Sequence, residues 1–498
     1  MAIETELKLS LAAADLPALK QYLLNSQLAV QPPVSRHLVS IYFDTPTLDL
    51  HHHRSALRIR RVGAQWIQTL KGGGGVQGGL HSRHEWEAPV AGNALDFDVL
   101  QASGGELPEE IFAKLQAAFT TDFNRDIFLV QFGGAEIELC LDVGEIRAHN
   151  KTHPICELEL ELKSGHPQQL FELALTLLDV VPLQIEPTNK AEYGYRLFTQ
   201  DAPIAQKIQL PKLSKTQTVA HTLAQYIWAC LTHLQSNISG AIEQLDDEYL
   251  HQIRLALRRL RLVLSITQTI QPDDELLELS REVKALCIDF GKLRDWDVFI
   301  SEILAISNLD ASDLQQVRTA SASIRQRHQL AVRQQLQSPS FQRLLLRLGS
   351  WMFSQYWHQL SENKLTLLNY AQDLLNHFEQ EVNKRAHHAE LKHGNGLHKL
   401  RIACKKLRYS VELFGDLLPR KKAERYLRQL EKLQNILGLL NDLATAQQHL
   451  TELSQSVSQT IRLQLISDIA NCYAQQQKIF QSTWKNLNDT KRLKLSDR

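Results

Sequence analysis

In the first two hundred residues, charged side chains recur at every second position, one segment after another. The chain opens MAIETELKLSL, where Glu4, Glu6 and Lys8 alternate with Ile3, Leu7 and Leu9. Glu157, Glu159, Glu161 and Lys163 repeat the pattern around Leu158, Leu160 and Leu162. Glu136, Glu138 and Asp142 do so around Ile137, Leu139 and Leu141. Arg83, Glu85 and Glu87 form a further set, Arg58 and Arg60 stand two apart in ALRIRR, and Lys71 ends QWIQTLK. A period of two places successive side chains on opposite faces of a β-strand. Each segment therefore has a charged face and an apolar face.

One strand of this kind is an edge strand with its charges in water. Several of them are harder to explain that way, because burying many charges is costly unless they are paired or used. An antiparallel sheet that curls with its charged faces inward satisfies the pattern, with the apolar faces packed on helices outside. About eight strands leave an interior of side-chain or small-ligand size. The segments LPALKQYLL (16–24) and QQLFELALTLLDVV (168–181) read as those helices. Turn-rich stretches such as GGGGVQGG and FGGAE separate the strands.

Residues 201–217 carry Pro203 and Pro211 and read as a linker; from about residue 218 the pattern is helical, with few Gly or Pro breaks. The expected fold is α+β: an antiparallel eight-stranded β-tunnel with outer helices over 1–203, a linker over 204–217, and an all-α region over 218–498. The helical region repeats itself. HQIRLALRRLR (251–261) aligns with HKLRIACKKLR (398–408), and FGKLRDWDV (290–298) aligns with LGLLNDLAT (437–445), both at an offset of 147 residues. A shared offset for two separate blocks predicts two related helical bundles.

A ligand that needs both signs of charge in the tunnel is a polyphosphate carrying a divalent metal. Hard cations such as Mg²⁺ or Mn²⁺ take carboxylate oxygens, and phosphate oxygens take Arg forks and Lys ammonium groups. A metal and a cluster of cations also neutralise the charge that develops in phosphoryl transfer.

These residues carry a resemblance. The opening E-x-E-x-K resembles the signature of the CYTH superfamily, the triphosphate tunnel metalloenzymes. The likeness continues through LRIR (57–60), TLK (69–71), the Arg83/Glu85/Glu87 segment, Asn124–Arg125, LELELK (158–163) and TNKAEYGY (188–195). It implies an eight-stranded tunnel that binds triphosphates with Mg²⁺ or Mn²⁺. Position by position, it implies metal carboxylates at Glu4, Glu6, Glu159 and Glu161. Phosphate ligands are implied at Lys8, Arg58, Arg60, Lys71, Arg83, Arg125 and Lys190, with Glu4, Glu6 and Lys8 at the catalytic centre. No single general base is assigned.

Other features of this half read as structural. KGGGG (71–75) has its Lys before the glycines, whereas a phosphate-binding P-loop has Lys-Ser/Thr after them, so a flexible hairpin is expected. HHH (51–53) lies beside a turn and reads as solvated. Cys140 and Cys156 read as packing residues.

In the helical half, His251, Arg254, Arg258 and Arg261 fall on one helical face, and Ile253, Leu257, Leu260 and Leu264 on another. The second copy gives His398, Arg401, Lys405 and Arg408. Like charges at this spacing repel, so a bound anion would relieve them. The two copies resemble the CHAD domain, a helical module that often follows a CYTH domain. The resemblance implies long-chain polyphosphate binding on those two faces, with Arg259 and Lys406 at their margins. Asp295 and Asp442 read as caps or as partners of the arginines. Asn441 stands where the first copy has Arg294, so the two sites are not equivalent.

Charge and cysteine content agree with this division. Residues 1–203 hold 16 Lys and Arg against 26 Asp and Glu, and the remainder holds 39 against 29. The six cysteines are scattered without a CxxC pair, which fits a reducing cytoplasm. No apolar run approaches the roughly 20 residues of a membrane span, and the acidic residues at the start do not suit a secretory signal. The basic faces lack the interleaved aromatics of a nucleic-acid platform, so nucleic acid ranks well below polyphosphate. The expected activity is metal-dependent hydrolysis of inorganic tripolyphosphate to pyrophosphate and phosphate. The alternatives are an adenylate cyclase or thiamine triphosphatase using the same tunnel, and a non-catalytic polyphosphate-binding scaffold.

Overall fold

The computed structural model describes residues 2–26, 28–243, 246–362, 366–391 and 395–488. Nine strands lie in the first half: β1 (Ala2–Ser10), β2 (Val34–Asp44), β3 (Ala56–Val62), β4 (Gln65–Gln77), β5 (Leu80–Val90), β6 (Gln116–Phe132), β7 (Ala135–Ala148), β8 (Lys151–Ser164) and β9 (Gln184–Ile185). Their order is β5-β4-β3-β2-β6-β7-β8-β1-β9, and β1 also pairs with β5. That last pairing closes the sheet: Ala2 faces Glu85, and Leu7 faces Leu80. Eight antiparallel strands thus form a barrel, and the two-residue β9 is an appendage on β1.

The period-two pattern explains which way each strand faces. Leu7, Leu9, Leu158, Leu160, Ile137 and Leu139 are fully buried. The helix Gln168–Leu178 packs on β1 and β8, burying Leu170, Phe171, Leu173, Ala174 and Leu177. The opposite parity turns the charges inward.

The inner face is not charged throughout. Along β2 the side chains of the Arg36 parity are Leu38, Ser40 and Tyr42; along β6, Phe119 and Phe123 precede Arg125. These apolar positions join Ile146, Ile155 and Tyr195 in one buried cluster. Tyr195 belongs to the helix Lys190–Thr199, which packs on β6, β7 and β8. A helix in TNKAEYGY was not anticipated from the sequence. Its start is signalled locally: the Asn189 side chain caps it, accepting the Glu192 backbone N–H at 2.9 Å.

Two features read otherwise in the structure than in the sequence. His51 is not a solvated residue of a turn: its Nε2 lies 3.1 Å from Glu192 and its ring stacks on Tyr195 with centroids 4.3 Å apart. The glycines after Lys71 do not end the strand. β4 runs on to Gln77 across a bulge between Gly72 and Gly75, and the turn packs on Trp228. Gly78 there has φ +61°, and an added Cβ would lie 2.2 Å from the indole ring.

The chain divides into two compact units. The first comprises 1–208, 228–256 and 335–357; the second comprises 209–227, 257–334 and 358–498. The barrel's unit therefore includes helical segments beyond the strands. The second unit is helical, with a core that includes Trp296, Phe299, Leu443, Leu450 and Ile461. Each copy of the first repeat block lies in one long helix, Asp247–Ile270 or Asn395–Leu413. Each copy of the second block lies late in the helix that follows, Asp274–Val298 or Arg420–Glu452. Among the described residues, no helix is long and apolar enough to cross a membrane.

Candidate active site in the barrel

The inward charges line a single cavity of about 310 Å³. Nine Lys and Arg side chains face seven Glu side chains across it. All seven cations expected as phosphate ligands lie in this lining: Lys8, Arg58, Arg60, Lys71, Arg83, Arg125 and Lys190. So do Glu4, Glu6, Glu159 and Glu161. Strand register brings them together: Glu6 lies opposite Glu161, Lys8 opposite Glu159, and Glu4 opposite Arg83.

The carboxylates fall into two groups. In the deeper one, Asp142, Glu157 and Glu159 offer oxygens within 4.8 Å of one another, the only such set among the described residues. Cations already fill it. Lys190 Nζ lies 2.6 Å from Asp142 and 2.9 Å from Glu159, and it also contacts Glu157. Lys8 Nζ is 2.6 Å from Glu159. Arg125 donates in bidentate fashion to Asp142 at 2.7 and 2.6 Å and also reaches Glu159. Burial alone would raise the Glu159 pKa, but Lys8 and Arg125 outweigh it and hold the carboxyl well below the usual range. Lys8 shifts upward for the reciprocal reason: burial opposes its charge, and Glu159 and Glu6 more than compensate.

The second group is a rung across β1, β8 and β7. Glu161 stands between Glu6 and Glu138 in register. Burial raises the Glu161 pKa, Lys163 at 2.6 Å works against that, and the nearby Glu4 and Glu138 add to the rise. Neighbouring carboxylates that offer only oxygen donors fit a hard divalent cation. Of the four carboxylates implied as metal ligands, Glu6 and Glu161 face each other in this rung, Glu4 lies two residues along β1 and is bridged by Lys71, and Glu159 is engaged by three cations. Glu138, read in the sequence as part of a charged face but not as a metal ligand, joins the rung.

The cationic wall is less evenly paired. Lys71 bridges Glu4 at 2.5 Å and Glu85 at 3.4 Å, and Arg58 lies 3.6 Å from Glu85. Arg60 has no carboxylate within 4.0 Å among the described residues; its Nε donates to Ser40 Oγ at 3.0 Å. Burial, with Arg58 and Arg125 close by, pulls its pKa down to about 9. Burial pushes the Tyr42 hydroxyl upward, but Arg58 and Arg60 lower its pKa overall.

Sequence reasoning missed Arg36 and Tyr42, which also line the cavity. Both lie on the inward parity of β2, but Leu38 and Ser40 between them hide the alternation. The register of Arg36 opposite Arg125 is the signal that only the fold supplies. Cys140 is buried, and it shares the inward parity of Glu138 and Asp142.

In the helical half, His251 and His398 are exposed, Arg254 and Arg401 are half-buried, and Arg261 is exposed where Arg408 is half-buried. In the second copy the protein's own groups hold several of these side chains. His398 Nδ1 lies 2.7 Å from Asn441 Oδ1, Arg401 lies 3.8 Å from Asp442, and Arg408 donates to Glu412 at 2.9 Å. Arg258 and Arg259 of the first copy both lie over the Tyr409 ring of the second, and Arg259 is 3.5 Å from Glu412. Lys406 lies over Phe378. Burial lowers the Arg401 pKa; Asp442 opposes this and Arg258 reinforces it.

A closed antiparallel barrel with such an interior defines the class of β-tunnel proteins with a charged bore. Comparison with known families narrows this: residues 2–195 match the CYTH domain and residues 225–451 match the CHAD domain. The chain carries a CYTH domain followed by a CHAD domain. Over 194 residues it is 34% identical to an inorganic triphosphatase of Haemophilus influenzae, a match covering 39% of this chain and 54% of that protein. The chain thus spans about half the length of this curated relative. The crystal structure of a CHAD domain from the plant Ricinus communis superposes with a TM-score of 0.53 at 28% identity, covering 59% of this chain and all of that one. A putative adenylyl cyclase from Hippeastrum, described as having dominant triphosphatase activity, gives a TM-score of 0.30 at 17% identity, covering 40% of this chain and 97% of that one.

Proposed function

We propose that the barrel hydrolyses inorganic tripolyphosphate to pyrophosphate and phosphate. The observation that carries this reading is Arg60, a half-buried guanidinium with no carboxylate partner among the described residues, in a wall where Arg58, Lys71 and Arg125 have theirs. A cation partly withdrawn from water without a counter-charge is stabilised when an anion arrives. Arg58, Arg60, Arg125, Lys8 and Lys190 surround the bound phosphates and neutralise them; Arg36, Lys71 and Arg83 complete the ring. Glu4, Glu6 and Glu161, with Glu138, hold a divalent cation. The family implies such a cation, and Mg²⁺ or Mn²⁺ suits the oxygen donors. When bound, it screens the phosphate charge and makes water a better nucleophile.

The relative from Haemophilus influenzae supports an inorganic substrate. So does the lining, in which Tyr42 is the one aromatic residue among those described. A nucleotide base or a thiamine ring would want a stacking surface, and a 310 Å³ cavity is small for a ligand site. The helical domain, by the same reading, binds longer polyphosphate through His251, Arg254, Arg258 and Arg261 and through His398, Arg401, Lys405 and Arg408.

Calorimetric titration of tripolyphosphate with Mg²⁺ tests the role of Arg60. Arg60→Ala should weaken binding about 10- to 100-fold, the worth of one charge-assisted hydrogen-bonded contact. An unchanged affinity would remove Arg60 from the substrate site.

A further inference from the structure

Phe123 sits on β6 two residues before Arg125 and is 1% exposed. Its ring face is shared by three cations of the cavity wall. The Arg60 guanidinium carbon lies 5.8 Å from the ring centroid, the Arg125 carbon 5.7 Å and Lys190 Nζ 5.1 Å. The ring belongs to a buried cluster that includes Leu38, Phe119 and Tyr195. Gly144, opposite Phe123 in register, leaves it room: an added Cβ there would come within 2.5 Å of the Phe123 Cβ.

The three cations depend on this ring unequally. Arg125 and Lys190 are fixed by Asp142 and Glu159. Among the described residues, Arg60 makes no ion pair; it donates to the Ser40 hydroxyl and lies over the ring. A carboxylate in the place of Phe123 would hold Arg60 more tightly but would also compete with a phosphate for it. An aromatic face attracts the guanidinium without using up its charge, and the attraction strengthens where water is excluded.

We propose that Phe123 is a positioning residue that holds Arg60 on a neutral π-surface, aimed into the cavity and available to a substrate phosphate. This rests on the tunnel being a triphosphate site. It predicts an effect on substrate binding, transmitted through Arg60, from a side chain outside the cavity lining.

The experiment compares Phe123→Leu and Phe123→Tyr in the full chain with tripolyphosphate and Mg²⁺. Phe123→Leu should raise KM about fivefold, within the range of one buried cation–π contact, and change kcat less than twofold. Phe123→Tyr, which keeps the ring, should restore KM. In an Arg60→Ala background, Phe123→Leu should add nothing further to KM. A KM rise of equal size with and without Arg60, or equal rises in the Leu and Tyr variants, would overturn the proposal. The Arg60 guanidinium carbon resonance of the ligand-free protein gives a reading independent of activity. It should shift in Phe123→Leu and stay in Phe123→Tyr, and an unmoved resonance in the Leu variant would overturn the proposal. If wild type neither binds nor hydrolyses tripolyphosphate, the tunnel reading fails, and that resonance still decides whether the ring orders Arg60. Should Phe123→Leu not fold, Phe123→Met takes its place with the same expectations.

Discussion

The barrel and the helical half both concentrate cations, but they hold them differently. In the barrel, Asp142, Glu157 and Glu159 are buried with Lys8 and Lys190 and paired with the half-buried Arg125, and charge is balanced inside the protein. In the helical half, Arg408 and Glu412 form an i, i+4 pair with part of each side chain in water. The first arrangement fixes each group in one place, as chemistry on a small substrate requires. The second leaves cations along a helix face partly in water, which suits a long polyanion of variable register. Where a charge is buried, its partner decides stability; where it is exposed, its partner matters little.

Breaking the buried cluster should have the largest effect. Asp142→Asn removes the carboxylate that holds both Arg125 and Lys190 and should cost about 3–5 kcal/mol, read by chemical denaturation of the barrel. A loss below 1 kcal/mol would contradict the picture of a balanced interior. Next in size, Arg254→Ala with Arg401→Ala should weaken long-chain polyphosphate binding by about tenfold or more while tripolyphosphate hydrolysis persists. Loss of hydrolysis in a folded double variant would contradict the division of labour.

Arg60→Leu sharpens the comparison because it should stabilise the ligand-free barrel while impairing substrate binding. Relief of about 1 kcal/mol would raise the melting midpoint by roughly 2–4 °C; a lower midpoint would show that Arg60 has a counter-charge after all. Acid pH probes the same interior. Glu159 has its folded-state pKa depressed by Lys8 and Arg125 against the effect of burial. Its contribution is therefore present above the ordinary glutamate value of 4.5 and is lost as pH falls through the depressed folded value. Stability should decline in that acid window, and Glu159→Gln should flatten the decline. The smallest effect is expected from Glu412→Gln, whose partners Arg408 and Arg259 are partly solvated: under about 1 kcal/mol.

The sequence displays the parts of this molecule whose signal is local. Glu4, Glu6 and Lys8 announce an inward face because nothing interrupts their alternation, and Glu157–Lys163 does the same. β6 is harder to read: DIFLVQF marks only its last seven residues, while Phe119 and Phe123, ahead of it, face the interior as an apolar continuation of the charged wall. Arg36 is hidden for the same reason. Barrel closure by β1 on β5 is a long-range pairing, and only there does Arg83 meet Glu4. The split of the carboxylates between a deep cluster held by Lys8, Lys190 and Arg125 and a rung contacted by Lys163 depends on which side chains reach across the bore, which no spacing encodes.

The most direct test of the central claim is phosphate release by the purified chain. Tripolyphosphate, ATP, thiamine triphosphate and pyrophosphate would each be offered with Mg²⁺ or Mn²⁺ and again with excess chelator, beside a Glu4→Ala/Glu6→Ala control. The account predicts fast turnover of tripolyphosphate alone, abolished by the chelator and by the double substitution. Absence of turnover on every substrate would contradict it and leave the barrel a polyphosphate-binding scaffold, and preferred turnover of ATP or thiamine triphosphate would contradict the inorganic substrate.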